Sequence, residues 1–258
     1  MSGKPETKRQ RWQLLDSIRG LTLVSMILYH GTWDLVYLYG VRWRWFLGRG
    51  AFLWQQSICW TFILLSGFCW GLGKRPLQRS LTVFGAGALV TAVTLLFMPA
   101  ERVICGVLFL LGGSGLLLVL LHKTLKRVPA LAGLLISFLL FLFFYQLPQG
   151  AVGFGPWRTA LPAGLYRSRV GVPFGFPPPD FFSSDYFPLL PWFFLFAAGY
   201  FLWRLFAEKG PSPALARSLT FGIAPLSFLG RHSLIIYLLH QPLLYGCLWA
   251  LSALTGLF

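Results

Sequence analysis

Long apolar stretches alternate with short polar connections along almost the whole chain. Seven of them could be membrane-spanning helices, because a spanning helix needs about 20 mostly apolar residues. They lie at about 15–39, 51–73, 80–98, 103–121, 129–147, 187–206 and 232–256. The pattern predicts an all-α fold, a polytopic membrane bundle of about seven transmembrane helices that forms a single domain over residues 1–258.

The composition agrees with a bilayer as the solvent. Of the 258 residues, 56% are hydrophobic and 11% are charged, whereas a soluble domain carries roughly 25% charged residues. Cys59, Cys69, Cys105 and Cys247 all fall within predicted spans. Because they show neither metal-ligand spacing nor the pattern of a disulfide framework, we expect no metal site.

The net charge of +15 comes from basic residues at the ends of the spans. Three groups lie on one side of a seven-span chain: Lys4, Lys8, Arg9 and Arg11; Lys74, Arg75 and Arg79; Lys123, Lys126 and Arg127. The positive-inside bias predicts a cytoplasmic N-terminus and an external C-terminus, although Arg42, Arg44 and Arg49 on the other side weaken it. This placement of charge favours membrane lipids over nucleic acid as partners. The first apolar stretch lacks the features of a cleavable signal peptide, so we expect none.

Two connections are distinctive. Residues 148–186 form a long segment rich in Gly, Pro and aromatic residues. Disordered segments are poor in aromatic residues, so we predict an ordered external lid. Residues 213–229 are too short and too interrupted to span, and we predict a cytoplasmic interfacial helix there.

The first span holds the richest set of polar residues. On a helix, Asp16, Arg19, His30, Asp34 and Tyr37 fall within an arc of roughly 60°. Arg19 would lie near the cytoplasmic boundary, with His30 about 16 Å further along near mid-membrane. Asp34 follows His30 at the i+4 spacing that lets a carboxylate meet an imidazole. Ionisable residues within a span are costly, so we interpret them as a functional site. The alternative for His30 and Asp34 is a buried hydrogen-bonded pair that only specifies helix packing. The alternative for Arg19 is that its side chain extends to the lipid headgroups.

The last span and the long connection supply further candidates. Ser233, Tyr237 and His240 recur at i, i+4 and i+7, so they share a helix face. An interhelical hydrogen-bond seam is the alternative for that face. In the long connection, Asp180 and Asp185 lie beside Tyr186 and several phenylalanines, a combination that suits sugar binding.

The motif LLDSIRGLTLVSMILYH (14–30) resembles the first helix of the transmembrane acyltransferase superfamily. Within it, the chain looks most like the small bacterial members of the heparan-alpha-glucosaminide N-acetyltransferase catalytic-domain family. Four more stretches carry this resemblance in the same order: LLSGFCWGL (64–72), VTLLFMPAERVICGVLFLLG (93–112), SSDYFPLLPWFFLFAAGYFL (183–202) and LGRHSLIIYLLHQP (229–242).

The resemblance implies an acyltransferase of the bacterial inner membrane. Its co-substrate would be acyl-CoA, namely acetyl-CoA, with no tightly bound cofactor, and its acceptor a hydroxyl or amine of a sugar or glycoconjugate. Arg19 and His30 match the superfamily's arginine and histidine, while Asp34, Asp185 and Tyr186 match recurrent family positions. A homo-oligomer is compatible with this assignment.

We therefore predict His30 as general base, or as the residue that briefly carries the acyl group. Asp34 would orient it, and Arg19 would steady the donor. The predicted donor-binding residues are Arg19, Lys74, Arg75, Arg79, Lys123, Lys126 and Arg127, and the predicted acceptor-binding residues are Asp180, Asp185, Tyr186, Tyr237 and His240. The alternative is a non-catalytic membrane protein, such as a proton-linked transporter or a partner subunit, that uses His30, Asp34 and His240 as a polar path. Phe109 favours this alternative slightly, because bacterial relatives usually carry histidine there.

Overall fold

The computed structural model describes residues 12–255, in which nine α-helices are joined by mostly short connections. The helices are α1 (Gln13–Tyr37), α2 (Arg49–Leu72), α3 (Pro76–Phe97), α4 (Val107–Leu125), α5 (Ala130–Phe144), α6 (Leu189–Lys209), α7 (Pro213–Thr220), α8 (Ala224–Arg231) and α9 (Ser233–Thr255). Strands β1 (Ala151–Phe154) and β2 (Trp157–Ala160) pair antiparallel in the connection between α5 and α6.

Six helices of the described chain are long and apolar enough to cross a bilayer: α2, α3, α4, α5 with the turn that follows it, α6 and α9. Helix α1 has 25 residues, enough for about 37 Å at 1.5 Å per residue. It is not among the six because polar side chains interrupt its apolar surface. The prediction of an all-α membrane protein with about seven long helices is confirmed.

Contacts divide the chain into two compact units. The first unit combines Met1–Ile58 with Gly210–Phe258, so its described part holds α1, the start of α2, and α7 to α9. In it, α8 packs against the first half of α1, and α9 also contacts α1. The Ser17 and Ser227 hydroxyls hydrogen-bond at 2.7 Å, and the Ile223 N–H donates to Ser17 Oγ at 3.0 Å. These bonds hold α8 against α1.

The second unit is Cys59–Lys209. Within it α3 packs on α4, α5 packs on α6, and α4 contacts α6. Helices α2 and α6 approach closely at two glycines. A Cβ on Gly67 would lie 1.9 Å from the Phe196 carbonyl oxygen, and one on Gly199 would lie 2.1 Å from that of Leu64. Small residues at such crossings let the backbones of membrane helices pack directly. That the two units form one domain stays a prediction.

The fourth helix begins later than the apolar pattern predicted. The expected span started at residue 103, but α4 starts at Val107, whose N–H donates to Asp185 Oδ2 at 3.0 Å. The residues before Val107 are not helical, and Cys105 has a φ of 55°. They are bonded to the end of the long connection and the residue that follows it: the Ile104 N–H donates to Ser183 Oγ at 2.9 Å, and the Phe187 N–H donates to the Cys105 carbonyl at 2.8 Å. Hydrophobicity alone cannot locate such a start.

The single interfacial helix predicted over residues 213–229 is wrong in one respect, since two short helices lie there. Helix α7 ends at Thr220, and α8 begins at Ala224. Between them the backbone is extended at Phe221, and the Ile223 N–H is bonded to the Ser17 side chain rather than to a helical carbonyl. Pro225, in the first turn of α8, lacks the N–H that a continuous helix would require there.

The long connection at 148–186 is ordered, as predicted. It contains the hairpin of β1 and β2 and two short 3-10 turns, Ala163–Tyr166 and Arg169–Phe174. The Tyr166 hydroxyl donates to the Leu147 carbonyl at 2.6 Å, which ties the segment back to the end of α5. Its external location stays a prediction.

Candidate functional site

Helices α1 and α9 bring two imidazoles together. The His30 and His240 rings lie with their centroids 5.0 Å apart and their planes at 59°. His240 is only 7% exposed, whereas His30 is partly exposed. The pairing of these helices therefore creates a histidine pair from residues 210 positions apart in the chain. The sequence named both residues but could not predict that they meet.

A carboxylate lies in the same cluster. Asp34, one turn beyond His30 on α1, is 1% exposed, and its Oδ1 accepts a hydrogen bond from Gln241 Nε2 at 3.4 Å. The i, i+4 spacing thus directs His30 and Asp34 to α9. The pairing of Asp34 with His30 that the spacing suggested stays a prediction. Sequence analysis did not assign Gln241, although its position beside His240 was the available signal.

Two buried acceptor atoms in this cluster have no hydrogen-bond partner among the described residues. His240 Nδ1 is bonded to the Tyr237 carbonyl, so Nδ1 carries the proton and Nε2 holds a lone pair. Both His240 Nε2 and Gln241 Oε1 are buried without a donor. Because unsatisfied buried polar atoms are costly, the arrangement is suited to a ligand that donates N–H or O–H groups. Tyr237 also packs its ring on His240, with centroids 5.1 Å apart.

Two other polar residues of α1 lie outside the imidazole pair. Arg19 Nη1 is 3.9 Å from Asp16 Oδ1, and the arginine side chain is 17% exposed. It lies eleven residues before His30, or about 16 Å along the helix. Tyr37, at the other end of α1, is exposed and packs on Trp33. Five residues of α1 were predicted to share a face. Two of them, His30 and Asp34, contact α9 residues of the imidazole cluster.

The second unit contains a cavity of about 280 Å³. It lies next to the two basic connections of this unit, between α2 and α3 and between α4 and α5. It is lined by Trp70, Gly71, Gly73, Pro76, Val119, His122 and Trp203. Lys74 and Arg75 lie between the lining residues Gly73 and Pro76, and Lys123 directly follows His122. Arg79 donates to the Cys69 carbonyl at 3.5 Å, and Lys126 and Arg127 follow within one turn of Lys123. The cations predicted to bind the donor therefore neighbour lining residues along the chain, although none of them is itself among the lining residues.

Polar atoms are available in this cavity. His122 Nδ1 is 3.2 Å from the Tyr200 hydroxyl, and the His122 ring lies 5.5 Å from that of Trp70. The indole N–H of Trp70 is buried and lacks an acceptor among the described residues. A ligand that offers an acceptor could satisfy this N–H. Sequence analysis did not single out Trp70 or Trp203, because isolated tryptophans in apolar stretches carry no signal.

The acidic and phenolic residues of the long connection bond to the protein itself. Asp180 forms a 2.7 Å ion pair with Arg169, and both are exposed. Asp185 accepts the Val107 N–H at the start of α4, and the Tyr186 hydroxyl donates to the Val172 carbonyl at 2.6 Å. Burial raises the pKa of Tyr186 well above its usual range. Their predicted contact with a sugar stays a prediction, and they belong to the unit that does not contain His30.

The role of Asp185 can be tested through stability. Asp185→Ala removes a charged acceptor from the first N–H of α4, and a bond to a charged group contributes about 1.5–3 kcal/mol. We expect a lower midpoint in thermal unfolding of the purified protein. Asp180→Ala is the control, because an exposed ion pair contributes at most about 1 kcal/mol. An unchanged midpoint with Asp185→Ala would contradict the structural role and favour the sugar-binding one.

Among residues 12–255, no group of three or more His, Cys, Asp or Glu side chains is placed to hold a metal ion. The described chain is a helical membrane protein whose first unit contains a cluster of two histidines and a buried carboxylate, and whose second unit contains an aromatic-lined cavity next to basic connections.

A comparison with protein families shows to which family of membrane proteins the chain belongs. Residues 11–242 match the family described as heparan-alpha-glucosaminide N-acetyltransferase, catalytic. The chain belongs to that family, which confirms the resemblance of its motifs. No curated protein matches the chain, and no solved structure matches it.

Proposed function

We propose that this membrane protein transfers an acetyl group from acetyl-CoA to a hydroxyl or amine of a sugar or glycoconjugate. The family is that of a membrane acetyltransferase, and its name gives a glucosaminide as the acceptor. The observation that carries the proposal is the pair of buried, unpartnered acceptor atoms, His240 Nε2 and Gln241 Oε1, beside His30. Hydroxyls and amines supply the donors that these atoms lack.

In the proposed reaction His30 acts as general base. The acceptor nitrogen or oxygen attacks the thioester carbonyl carbon while His30 takes its proton. The carbon–sulfur bond then breaks, and the CoA thiolate leaves and recovers that proton from the imidazolium. Asp34, on the same helix, stabilises positive charge in the cluster, because a nearby carboxylate favours the charged imidazole. An alternative route has His30 carry the acetyl group before the acceptor takes it.

The donor is proposed to bind at the cavity between Trp70 and Trp203. Its aromatic walls suit the adenine ring, and its bordering cations suit the phosphates: Lys74, Arg75, Arg79, Lys123, Lys126 and Arg127. Arg19 is proposed to contact the donor as well. These cations face the cytoplasm in the proposed topology, with the N-terminus on the same side, in the bacterial inner membrane.

The experiment uses purified protein in nanodiscs, radiolabelled acetyl-CoA and glucosamine as the acceptor. We expect acetyl-CoA to bind and labelled N-acetylglucosamine to form. The triple variant Lys123→Gln, Lys126→Gln, Arg127→Gln should weaken acetyl-CoA binding about tenfold or more at low salt, since each cation contributes to phosphate attraction. Arg217→Gln, on the exposed surface of α7, is the matched control.

A second candidate function is a proton-linked transporter. It is supported by the same chain of ionisable groups, in which His30, His240 and Asp34 lie within helices. Absence of acetyl-CoA binding at millimolar concentration, together with proton uptake by reconstituted vesicles, would replace the acetyltransferase proposal with this one. Binding without transfer to any amine or hydroxyl would leave only a CoA-binding membrane protein.

A further inference from the structure

The segment between α6 and α9 exposes a large apolar surface. It contains α7, α8 and a link at residues 221–223 that is not helical. Its large apolar side chains that are 42–67% exposed are Leu215, Phe221, Ile223 and Phe228. Other side chains of the same two helices are buried, among them Leu219 and Ser227. The segment is therefore amphipathic, and its outer apolar side chains favour an apolar surrounding.

The place of this segment in the chain puts its outer surface at a bilayer boundary. Helices α6 and α9 are both long and apolar enough to span, so the chain that joins them begins and ends at a membrane surface. Helices α7 and α8 have eight residues each, or about 12 Å at 1.5 Å per residue, and cannot cross a hydrocarbon core of about 30 Å. The exposed apolar side chains therefore meet the interfacial region of the lipid rather than a soluble partner.

The charge of this segment is positive only. Arg217 on α7 and Arg231 at the end of α8 are exposed, and neither forms an ion pair with a residue in the range 12–255. Residues 209–258 contain no Asp or Glu. On α1, against which α8 packs, Asp16 is buried and lies 3.9 Å from Arg19. The two exposed guanidinium groups can therefore contact an external anion.

We propose that the outer face of this segment binds anionic phospholipids of the surrounding bilayer. The face is formed by Leu215, Phe221, Ile223, Phe228, Arg217 and Arg231. Its apolar side chains lie among the upper parts of the acyl chains, and its arginines contact phosphate groups, whose geometry suits the guanidinium fork. The absence of acidic side chains from the segment means that an anionic headgroup meets attraction without repulsion.

Lipid bound at this face stabilises the helix that carries His30. The inner side of α8 is bonded to α1 through the hydroxyls of Ser17 and Ser227, and the α8 backbone touches that of α1 at Gly230. A ligand that binds the folded state alone raises its stability. A lipid that holds α8 therefore also holds α1 in its folded position. This inference goes beyond the proposed function and does not depend on acetyl transfer.

The test compares two phospholipids that differ in headgroup charge. Purified protein in a non-ionic detergent at low salt is titrated with phosphatidylglycerol, which is anionic, or with phosphatidylcholine, which has no net charge, and the unfolding midpoint is followed. We expect phosphatidylglycerol to raise the midpoint at a lower concentration than phosphatidylcholine. Arg217→Gln and Arg231→Gln should each reduce this preference about fivefold, the contribution of one basic residue near an anionic surface. Phe221→Ala should weaken the binding of both lipids alike, because the ring contributes apolar area and no charge.

Arg158→Gln is the matched control, since Arg158 is an exposed arginine of β2 in the second unit. It removes the same charge and should leave the preference for phosphatidylglycerol unchanged. An equal reduction by Arg158→Gln would make the preference an effect of net charge and overturn the inference. Equal responses of the wild type to the two lipids would overturn it as well.

The double variant Arg217→Gln, Arg231→Gln separates this inference from the proposed function. It should lose most of the lipid preference but bind acetyl-CoA as the wild type does, because neither arginine is among the residues proposed to hold the donor. An unchanged preference in the double variant would place anionic lipid elsewhere on the protein and refute the inference, while acetyl transfer could still take place. A wild type that prefers phosphatidylglycerol but transfers no acetyl group would refute only the proposed function.

Discussion

Replacing His30 by alanine is expected to lower acetyl transfer by at least about 100-fold, since general acid–base catalysis typically contributes 10²–10⁴-fold. The His30 ring faces the His240 ring across the contact between α1 and α9, beside the buried acceptor atoms proposed to bind the substrate. The binding of acetyl-CoA should be unchanged, because His30 is not among the residues proposed to hold the donor. The loss should therefore appear in kcat, with little change in the KM for the donor.

The control for this experiment is His232→Ala. His232 is exposed at the junction of α8 and α9, and its Nδ1 donates to the Phe228 carbonyl within the same turn. Its substitution should leave turnover near the wild-type value. Turnover by His30→Ala within a few-fold of wild type, in protein with an unchanged unfolding midpoint, would remove His30 from the proposed catalytic role and leave His240 as the next candidate base.

The long helices were predictable because their signal is local. A run of apolar residues of sufficient length specifies a membrane helix wherever it occurs, and α1 was found even though Asp16, Arg19, His30 and Asp34 interrupt it. The helix face was also predictable in part, because the angle between His30 and Asp34 depends only on helix geometry.

The contacts between helices were not predictable from one sequence. Nothing in the local pattern states that His240 faces His30 rather than lipid, or that Gln241 reaches Asp34. The same holds for Asp185. Its place among aromatic residues suggested a sugar site, while the structure uses its carboxylate to accept the first N–H of α4. An interaction between residues 78 positions apart leaves no periodic signal in either segment.

Two of the family motifs have a physical explanation in the packing of α8 on α1. The motif LLDSIRG ends in Gly20, and LGRHS contains Gly230. A Cβ on Gly20 would lie 2.0 Å from the Leu226 carbonyl oxygen, and one on Gly230 would lie 1.9 Å from that of Asp16. The two glycines therefore let the backbones of the two helices touch. The motifs that identify the family thus include positions that fix α1, and not only positions that carry chemistry.

Gly230→Ala is accordingly expected to destabilise the first unit by at least about 3 kcal/mol, the upper end of the usual cost of overpacking, because the new methyl group meets backbone rather than a movable side chain. Separation of α8 from α1 would also break the bond between Ser17 and Ser227. The measurement is the unfolding midpoint of purified protein in detergent.

Gly246→Ala is the matched control: Gly246 lies on α9 with nothing within 4 Å of the added Cβ. That change should be neutral or stabilising, because alanine favours a helix over glycine by about 1 kcal/mol. Equal midpoints for the two variants would show that α8 does not pack on α1 through these glycines.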